Sequence, residues 1–464
     1  MPEDDEAECT DSLLRVIDQN NGSSAKISRG TSTMNYDNDR FTVKERVYTQ
    51  QYAGIYFCRL NMLRPKAFAA ANERWGKTEA APPAVPRVLD VKTSQVCYIV
   101  GTVYVDMPLK PCILDEVTKE HWILAPPRRE KYATEDDEFI LEDESGRVSL
   151  TGSILKKTML VTGIIIAVLG CETASGQFEV IDICYPALKP QIPPQIEIEA
   201  DKYVAVVSGL SVGDESCGLD LELLIDFLTG ELGTGKDQHR NAGIVRVIVA
   251  GNSVTKPPPV DDEKRPARNR YGAETATFNV EPIRALDTLL AELCETLPVD
   301  LLPGEFDPAN FSLPQQPIHY SIFPNACKFS SFNPVTNPCK LDIDGISLLA
   351  TSGQTLDDIF RYVATDNRLS MAEKTIVWGH LAPTAPDTLW CHPFKDTDPF
   401  VLSSRPHIYI VGNQPKFETS LVTDTQQNQT RVVLVPSFAV SKTIVLINLR
   451  TLEASPVVFS TKAL

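Results

Sequence analysis

Five times between residues 203 and 415, glycine and small polar residues occupy the loop where an apolar run breaks off. The stretch 203–207 runs into Ser208-Gly209-Leu210-Ser211, 244–250 into Gly251-Asn252, and 299–302 through Pro303 into Gly304-Glu305-Phe306-Asp307. Two further sites follow at Ser352-Gly353-Gln354 and Gly412-Asn413-Gln414-Pro415. Between them lie helical patterns at 219–228 and from Glu281 onward, the latter with Ile283, Leu286, Leu289, Leu290, Leu293 and Leu297 on one face. Strand, tight loop and helix in repetition predict an α/β sheet whose functional positions gather beyond the carboxyl ends of its strands. From His407 to Phe459 the pattern returns to short strands.

The first 186 residues follow a different grammar. Residues 1–45 are polar and end-like and are expected to be flexible. Residues 46–76 carry a one-sided stripe of Tyr52, Ile55, Tyr56, Leu60 and Leu63, with Trp75 beyond Pro65, which predicts a helix. A proline-rich linker at 77–87 leads into 88–186. There 96–104 reads as a strong strand, 139–150 as a hairpin with a Ser-Gly turn, and 160–169 and 177–183 as two more strands. About five short strands in this span predict a small closed barrel, for which the OB-fold is the common solution. A second proline-rich linker, 186–198, precedes a domain over 200–464.

Charge removes several function classes. The 464 residues hold 44 Lys+Arg against 61 Asp+Glu, a net −17, and the barrel segment alone has 9 against 16. Bulk attraction to duplex nucleic acid or anionic lipid has the wrong sign. The acidic runs 135–138 and 142–144 suit a solvated face or a basic partner. The most apolar stretch, 159–169, is too short to cross a bilayer, and Met-Pro-Glu-Asp-Asp-Glu at the start is unlike a signal peptide. Eleven scattered cysteines predict reduced thiols.

Other apparent motifs have plainer readings. Cys391-His392 with Asp387, flanked by His380, is expected to be a proline-shaped loop packed by Trp390 and Phe394. Cys327 and Cys339 lack zinc-site spacing. Gly230 to Lys236 resembles a P-loop but has Asp237 where Ser or Thr belongs, and reads as a mobile glycine loop. Lys264, Arg265, Arg268 and Arg270 lie in a proline-rich stretch, 256–272, expected to be disordered.

The five strand ends resemble, in order and spacing, those of calcineurin-like metallophosphoesterases. There, Asp-x-His, Gly-Asp, Gly-Asn-His-Asp, a lone His and Gly-His-x-His hold two metal ions, a set that activates water and stabilises the phosphoryl oxygens. In this chain the frame is kept without the ligands. Gly209 and Ser211 stand at the first motif, Asn252 at the second, and Glu305, Phe306 and Asp307 at the third. Ser352 takes the place of the lone His, and Asn413 and Pro415 take the last pair. Only Asp307, Glu305 and Asn252 could offer an oxygen, so the expectation is a vestigial site with no catalytic residue, metal or cofactor.

From about Phe41 to the end the chain is similar to the second (B) subunits of eukaryotic replicative DNA polymerases, specifically the DNA polymerase delta type. The resemblance rests on 50–56 (Gln-Gln-Tyr-Ala-Gly-Ile-Tyr), 107–111 (Met-Pro-Leu-Lys-Pro), 303–308 (Pro-Gly-Glu-Phe-Asp-Pro), 313–317 (Leu-Pro-Gln-Gln-Pro), 351–354, 383–389 and 396–400. It implies an OB-fold barrel packed on an inactivated phosphoesterase αββα sandwich, with the N-terminal helix docked on the sandwich. It also implies a nuclear, non-catalytic scaffold. Its partners would be the cysteine-rich C-terminal module of the polymerase delta catalytic subunit and a third small subunit. The implied role extends to polymerase zeta and, indirectly, to the sliding clamp and DNA. The competing readings are a residual one-metal phosphodiesterase or exonuclease at Asp307, Glu305 and Asn252, and a single-strand-binding module.

Overall fold

The computed structural model describes residues 28–77, 81–110, 129–191, 193, 200–214, 218–256, 279–424 and 427–459. The basic stretch holding Lys264 to Arg270, and residues 1–27 of the expected flexible segment, lie outside the described residues.

In chain order, an arm strand β1 (Met34–Tyr36) precedes helix α1 (Ala53–Trp75) and the barrel strands β2 (Val96–Asp106), β3 (Glu138–Glu142), β4 (Arg147–Thr151), β5 (Ile165–Glu172) and β6 (Phe178–Cys184). Then come β7 (Tyr203–Val207), α2 (Gly218–Thr229), α3 (Gly235–Ala242), β8 (Ile244–Ala250), α4 (Val280–Thr296), β9 (Val299–Leu302), β10 (Phe332–Pro334), β11 (Cys339–Ile343) and β12 (Ile346–Thr351). The chain continues through α5 (Gln354–Arg361), α6 (Arg368–Trp378), β13 (Ile408–Gln414), β14 (Glu418–Thr423), β15 (Gln429–Pro436), β16 (Thr443–Asn448) and β17 (Ala454–Val458).

The barrel closes in the order β2-β3-β4-β6-β5, with β4 and β6 parallel and the other pairs antiparallel. Strand β2 is apolar on both faces for a reason the fold supplies. One face fills the barrel with Ile99 and Val103; the other, Tyr98 and Val100, lies under α1. Leu60, Leu63, Ala67 and Ala71 of α1 pack on Tyr98, Val100, Ile165, Ala167 and Cys184. The stripe thus lies between the two bodies: it packs on the barrel's outward apolar face, Val401 of the sandwich joins the same cluster, and Ile55 is buried in the core that barrel and sandwich share. Burial on both sides of Pro65 carries the helix through a proline that would cost about 3 kcal/mol in an isolated helix.

The chain beyond residue 200, with β1 added at one edge, forms two six-stranded sheets, β1-β11-β12-β13-β15-β14 and β10-β9-β8-β7-β16-β17, that lie face to face. Val204, Val206 and Ile248 from one meet Leu348, Ile410 and Val433 from the other. Helices α2 and α4 cover the outer face of the second sheet, and α5 and α6 that of the first, giving four layers.

One sequence expectation changes. Residues 28–45 are not loose. β1 pairs with β11, Phe41 is fully buried, and the Tyr36 hydroxyl lies 2.5 Å from Asp300 Oδ1 in the buried Arg246–Asp300 pair. The glycine loop at 230–236 leads into α3 through a capping box between Thr234 and Asp237.

Candidate functional site: the strand ends of the sandwich

The carboxyl ends of β7, β8, β9, β12 and β13 converge, so the residues singled out from the sequence are brought together. The turns are tight and several are left-handed. Gly209 has φ +61°, Gly251 +79° and Gly353 +104°. A Cβ at Gly209 would sit 2.4 Å from Ser437 Oγ, and one at Gly353 2.2 Å from the Gly412 carbonyl. Ser211, Asn252 and Asn413 also have positive φ, a conformation Asn tolerates better than most side chains.

Asp307 is buried at the centre. The N–H groups of Ser253 and Val254 donate to its Oδ1 (2.8 and 3.1 Å), and Gly304 N–H donates to Oδ2 (2.8 Å). Burial pushes its carboxyl up to about 6, against the opposing pull of these donors. Both oxygens therefore staple the β8 and β9 turns. The Asn252 side-chain oxygen is engaged by Phe306 N–H (3.2 Å). Phe306 lies under the Lys256 ammonium, 5.5 Å from the ring centre, while Glu305 and Pro415 are exposed.

Neutral amides knit the remaining turns. Asn413 donates through its side chain to Ala250 O (3.0 Å) and Ser352 O (2.8 Å), joining an end of one sheet to an end of the other. Its backbone N–H donates to Ser208 Oγ (2.9 Å). Buried Asn337 donates to the side-chain oxygens of Gln315 (2.8 Å) and Gln354 (2.7 Å) and accepts from Ser352 N–H (3.1 Å). Gln315 donates to Gly304 O (2.9 Å). The roles of Gln315, Asn337 and Gln354 were not foreseen; the available signal was amides set beside Pro314, Pro317 and Pro338.

A two-metal centre does not fit this donor set. Gly209 has no side chain, Phe306 and Pro415 have no ligating atom, and the oxygens of Asn252 and Asp307 already accept backbone N–H groups. Among the described residues no three His, Cys, Asp or Glu side chains stand together as a metal set.

The 380–400 loop does not form a nucleophile cluster. His380 donates from Nε2 to Asp398 Oδ2 (2.8 Å) and accepts Ala382 N–H at Nδ1, and burial lowers its pKa to about 4, so it is neutral. Asp398 is held well below the usual carboxylate range despite burial, because His380 and Arg59 face it. Arg59, fully buried on α1, donates to Asp398 Oδ2 (2.8 Å), to Gly163 O of the barrel (3.0 Å), and to Pro383 O and Ala385 O (2.7 and 2.6 Å). One guanidinium thus fastens helix, barrel and sandwich. Asp387 pairs with Lys110 at the barrel rim, and Cys391 is buried with its thiol pushed up to about 12. His392 packs between Tyr48 and Phe394. Trp390, expected to pack the loop, is exposed.

Comparison with known proteins places this architecture. Residues 51–183, which are α1 plus the barrel, match the model for the DNA polymerase delta subunit OB-fold domain. Residues 204–419 match that for the B subunit of DNA polymerase alpha/epsilon. The chain is 40% identical to the DNA polymerase delta small subunit of Arabidopsis thaliana, over 94% of this chain and 97% of that one. The chain belongs to the DNA polymerase delta small-subunit family. Its counterpart of that name in Saccharomyces cerevisiae is 36% identical over 89% of this chain and 90% of its own length. The Drosophila melanogaster DNA polymerase delta subunit 2 is 35% identical over 91% and 96%. The OB-fold match begins at residue 51, which fits the docking of α1 on the barrel as one unit.

Proposed function

We propose that this chain is an accessory subunit of DNA polymerase delta that acts as a non-catalytic scaffold, an OB barrel packed on an inactivated calcineurin-like sandwich. The observation that carries the reading is the set of side chains at the strand ends, which does not suit a two-metal centre and whose turns are held instead by hydrogen bonds. Asn413, Asn337 and Gln315 hold the frame by hydrogen bonds, so the fold needs no metal and the surface is free for assembly. In this role it bridges the cysteine-rich C-terminal module of the catalytic subunit and a third small subunit, serves polymerase zeta in the same way, and meets the sliding clamp and DNA only through its partners. It works in the nucleus, in replication, repair and translesion synthesis.

Two assays test this. The full chain with Mn²⁺ should turn over neither single-stranded DNA nor a generic phosphodiester; turnover abolished by Asp307→Ala would defeat the scaffold reading in favour of one-metal chemistry. Co-purification with the C-terminal module of the catalytic subunit should give a complex, and its absence would defeat the partner assignment.

A further inference from the structure

Every edge of a β-sheet is a row of unpaired N–H and C=O groups, and natural proteins guard such rows with proline, lysine, a bulge, brevity or closure. The barrel is closed and has none. The sandwich has four, and three are guarded. β1 and β10 are three residues each, β10 ending in Pro334. On β17, Phe459 N–H donates to Lys442 O, so by alternation Val458 and Pro456 face outward, and Pro456 has no N–H to offer. The fourth edge, β14, is open. Its sequence, Glu-Thr-Ser-Leu-Val-Thr, holds neither proline nor lysine, and it pairs with β15 over its whole length without a register shift. At the hairpin end Asp424 N–H donates to Asn428 O (3.1 Å), so Val422, Ser420 and Glu418 turn their backbone groups to β15. Thr423, Leu421 and Thr419 turn theirs outward. Among the described residues no strand lies on that side, and these outward N–H and C=O groups have no protein partner. Leu421 and Thr423 are exposed.

Outward groups on every second residue repeat at about 7 Å, the spacing at which an added strand presents its own N–H and C=O groups. The occupant this ladder fits is therefore an extended polypeptide. Nucleic acid has no alternating amide donors and acceptors to match it, and Lys416, just before the strand, is already paired with Glu418 (3.0 Å). A second copy of the chain is a poor fit. The strand is about 20 Å long and a sheet with its side chains about 10 Å thick, which gives about 200 Å² of edge. A stable dimer takes roughly 800 Å² from each partner, and each copy would bring a net charge of −17. A short segment of a different chain needs only the edge, because main-chain hydrogen bonds supply its affinity. The outward residues Thr419, Leu421 and Thr423 carry no charge, so the segment is uncharged where it meets them.

We propose that β14 is a docking edge for one extended, uncharged segment of another protein, which adds to the first sheet of the sandwich as a seventh strand. Such strand addition is independent of the accessory-subunit role.

The test uses the full chain and a terminally blocked octapeptide of alternating valine and threonine, with two further forms N-methylated on one or the other alternate set of residues. The plain peptide should bind at millimolar concentration or below, and hydrogen exchange at 419, 421 and 423 should slow when it does. One N-methylated form should bind about tenfold or more weakly and the other like the plain peptide, since only one row of a strand's amides pairs with the edge. Leu421→Pro removes an outward N–H and leaves the pairing with β15 in place, so it should weaken binding about fivefold or more with Tm unchanged. Leu421→Thr keeps that N–H and should bind like the wild-type chain. Absence of binding by the folded wild-type chain at millimolar peptide would overturn strand addition. So would equal binding of the two N-methylated forms, equal losses in Leu421→Pro and Leu421→Thr, or amides 419, 421 and 423 already protected in the free chain. Self-association of the free chain that Leu421→Pro abolishes would give the edge to a second copy and overturn the proposed occupant.

Discussion

Replacing Arg59 by methionine removes a charge and its donors while keeping most of the side-chain volume. In the wild-type chain this guanidinium holds Asp398 and three main-chain carbonyls, one in the barrel and two in the sandwich, with no exposure to water. The variant leaves the Asp398 charge buried, with only His380 and Phe400 N–H as donors. Breaking a buried pair from one side costs about 3–5 kcal/mol, a large share of a total stability of about 5–15 kcal/mol. Unfolding entropy near 2 cal/mol/K per residue amounts to about 1 kcal/mol/K over 464 residues. If the chain melts as one unit, Tm should therefore fall by about 3–5 °C. Calorimetry should also show the barrel and sandwich transitions separating, since their shared guanidinium is gone. Arg59→Met/Asp398→Asn should recover more than 1 kcal/mol relative to the sum of the single losses. A Tm within 1 °C of wild type, with one transition, would refute the idea that this clamp couples the two bodies.

Other expectations concern titration and the strand ends. His380 is buried neutral with its pKa lowered to about 4, so the unfolded chain binds its proton first as pH falls. Stability should then decline from pH 6.5 towards pH 4, and the Asp398 contribution, present above the ordinary carboxylate pKa, should be lost below it. Urea titrations across that range on wild type and Arg59→Met would check both. Asp307 has the opposite sign: its folded pKa is raised to about 6, so its own contribution improves as pH falls from about 6 towards 4. Asp307→Asn must turn an N–H donor towards a backbone N–H and should cost about 1–3 kcal/mol by denaturant unfolding. Asn413→Ala removes both side-chain links between the sheet ends and should cost about 2 kcal/mol; a loss under 0.5 kcal/mol would mean the amide is dispensable. Gly209→Asp, which restores a ligand type, should fail to gain metal affinity by calorimetric titration and should destabilise the chain, because its Cβ would strike Ser437.

The sequence was most legible where physics is local. Glycine beside a short polar residue marks a tight strand end, and the five such sites do meet. The hairpin 138–151 announced itself through alternation and its turn. What escaped was set by distant partners. Strand β1 is only three residues, Met-Asn-Tyr, whose pairing lies about 300 residues away on β11, so no local pattern betrays it. The stripe of α1 was visible, but not that barrel and sandwich would both close on it. Nothing in the helix pattern marks Arg59, because its partners, three carbonyls and Asp398, are all distant in sequence. Gln315 and Asn337 gave only the ambiguous signal of amides near prolines. Trp390, read from the sequence as packing its loop, stands outside, because nothing local tells an aromatic that packs from one that is left exposed.

The clamp also imposes an order on synthesis. Arg59 leaves the ribosome 339 residues before Asp398. At about 5–20 residues per second, that is an interval of roughly 20 seconds to a minute. The barrel strands that cover the stripe of α1 are complete by Cys184, so helix and barrel can close early. The guanidinium must then wait, charged and lacking most of its acceptors, for about the last fifth of the chain. A nascent chain stalled or truncated before residue 398 would carry a finished barrel with an unfilled socket at its flank, a species suited to chaperone capture and to quality control.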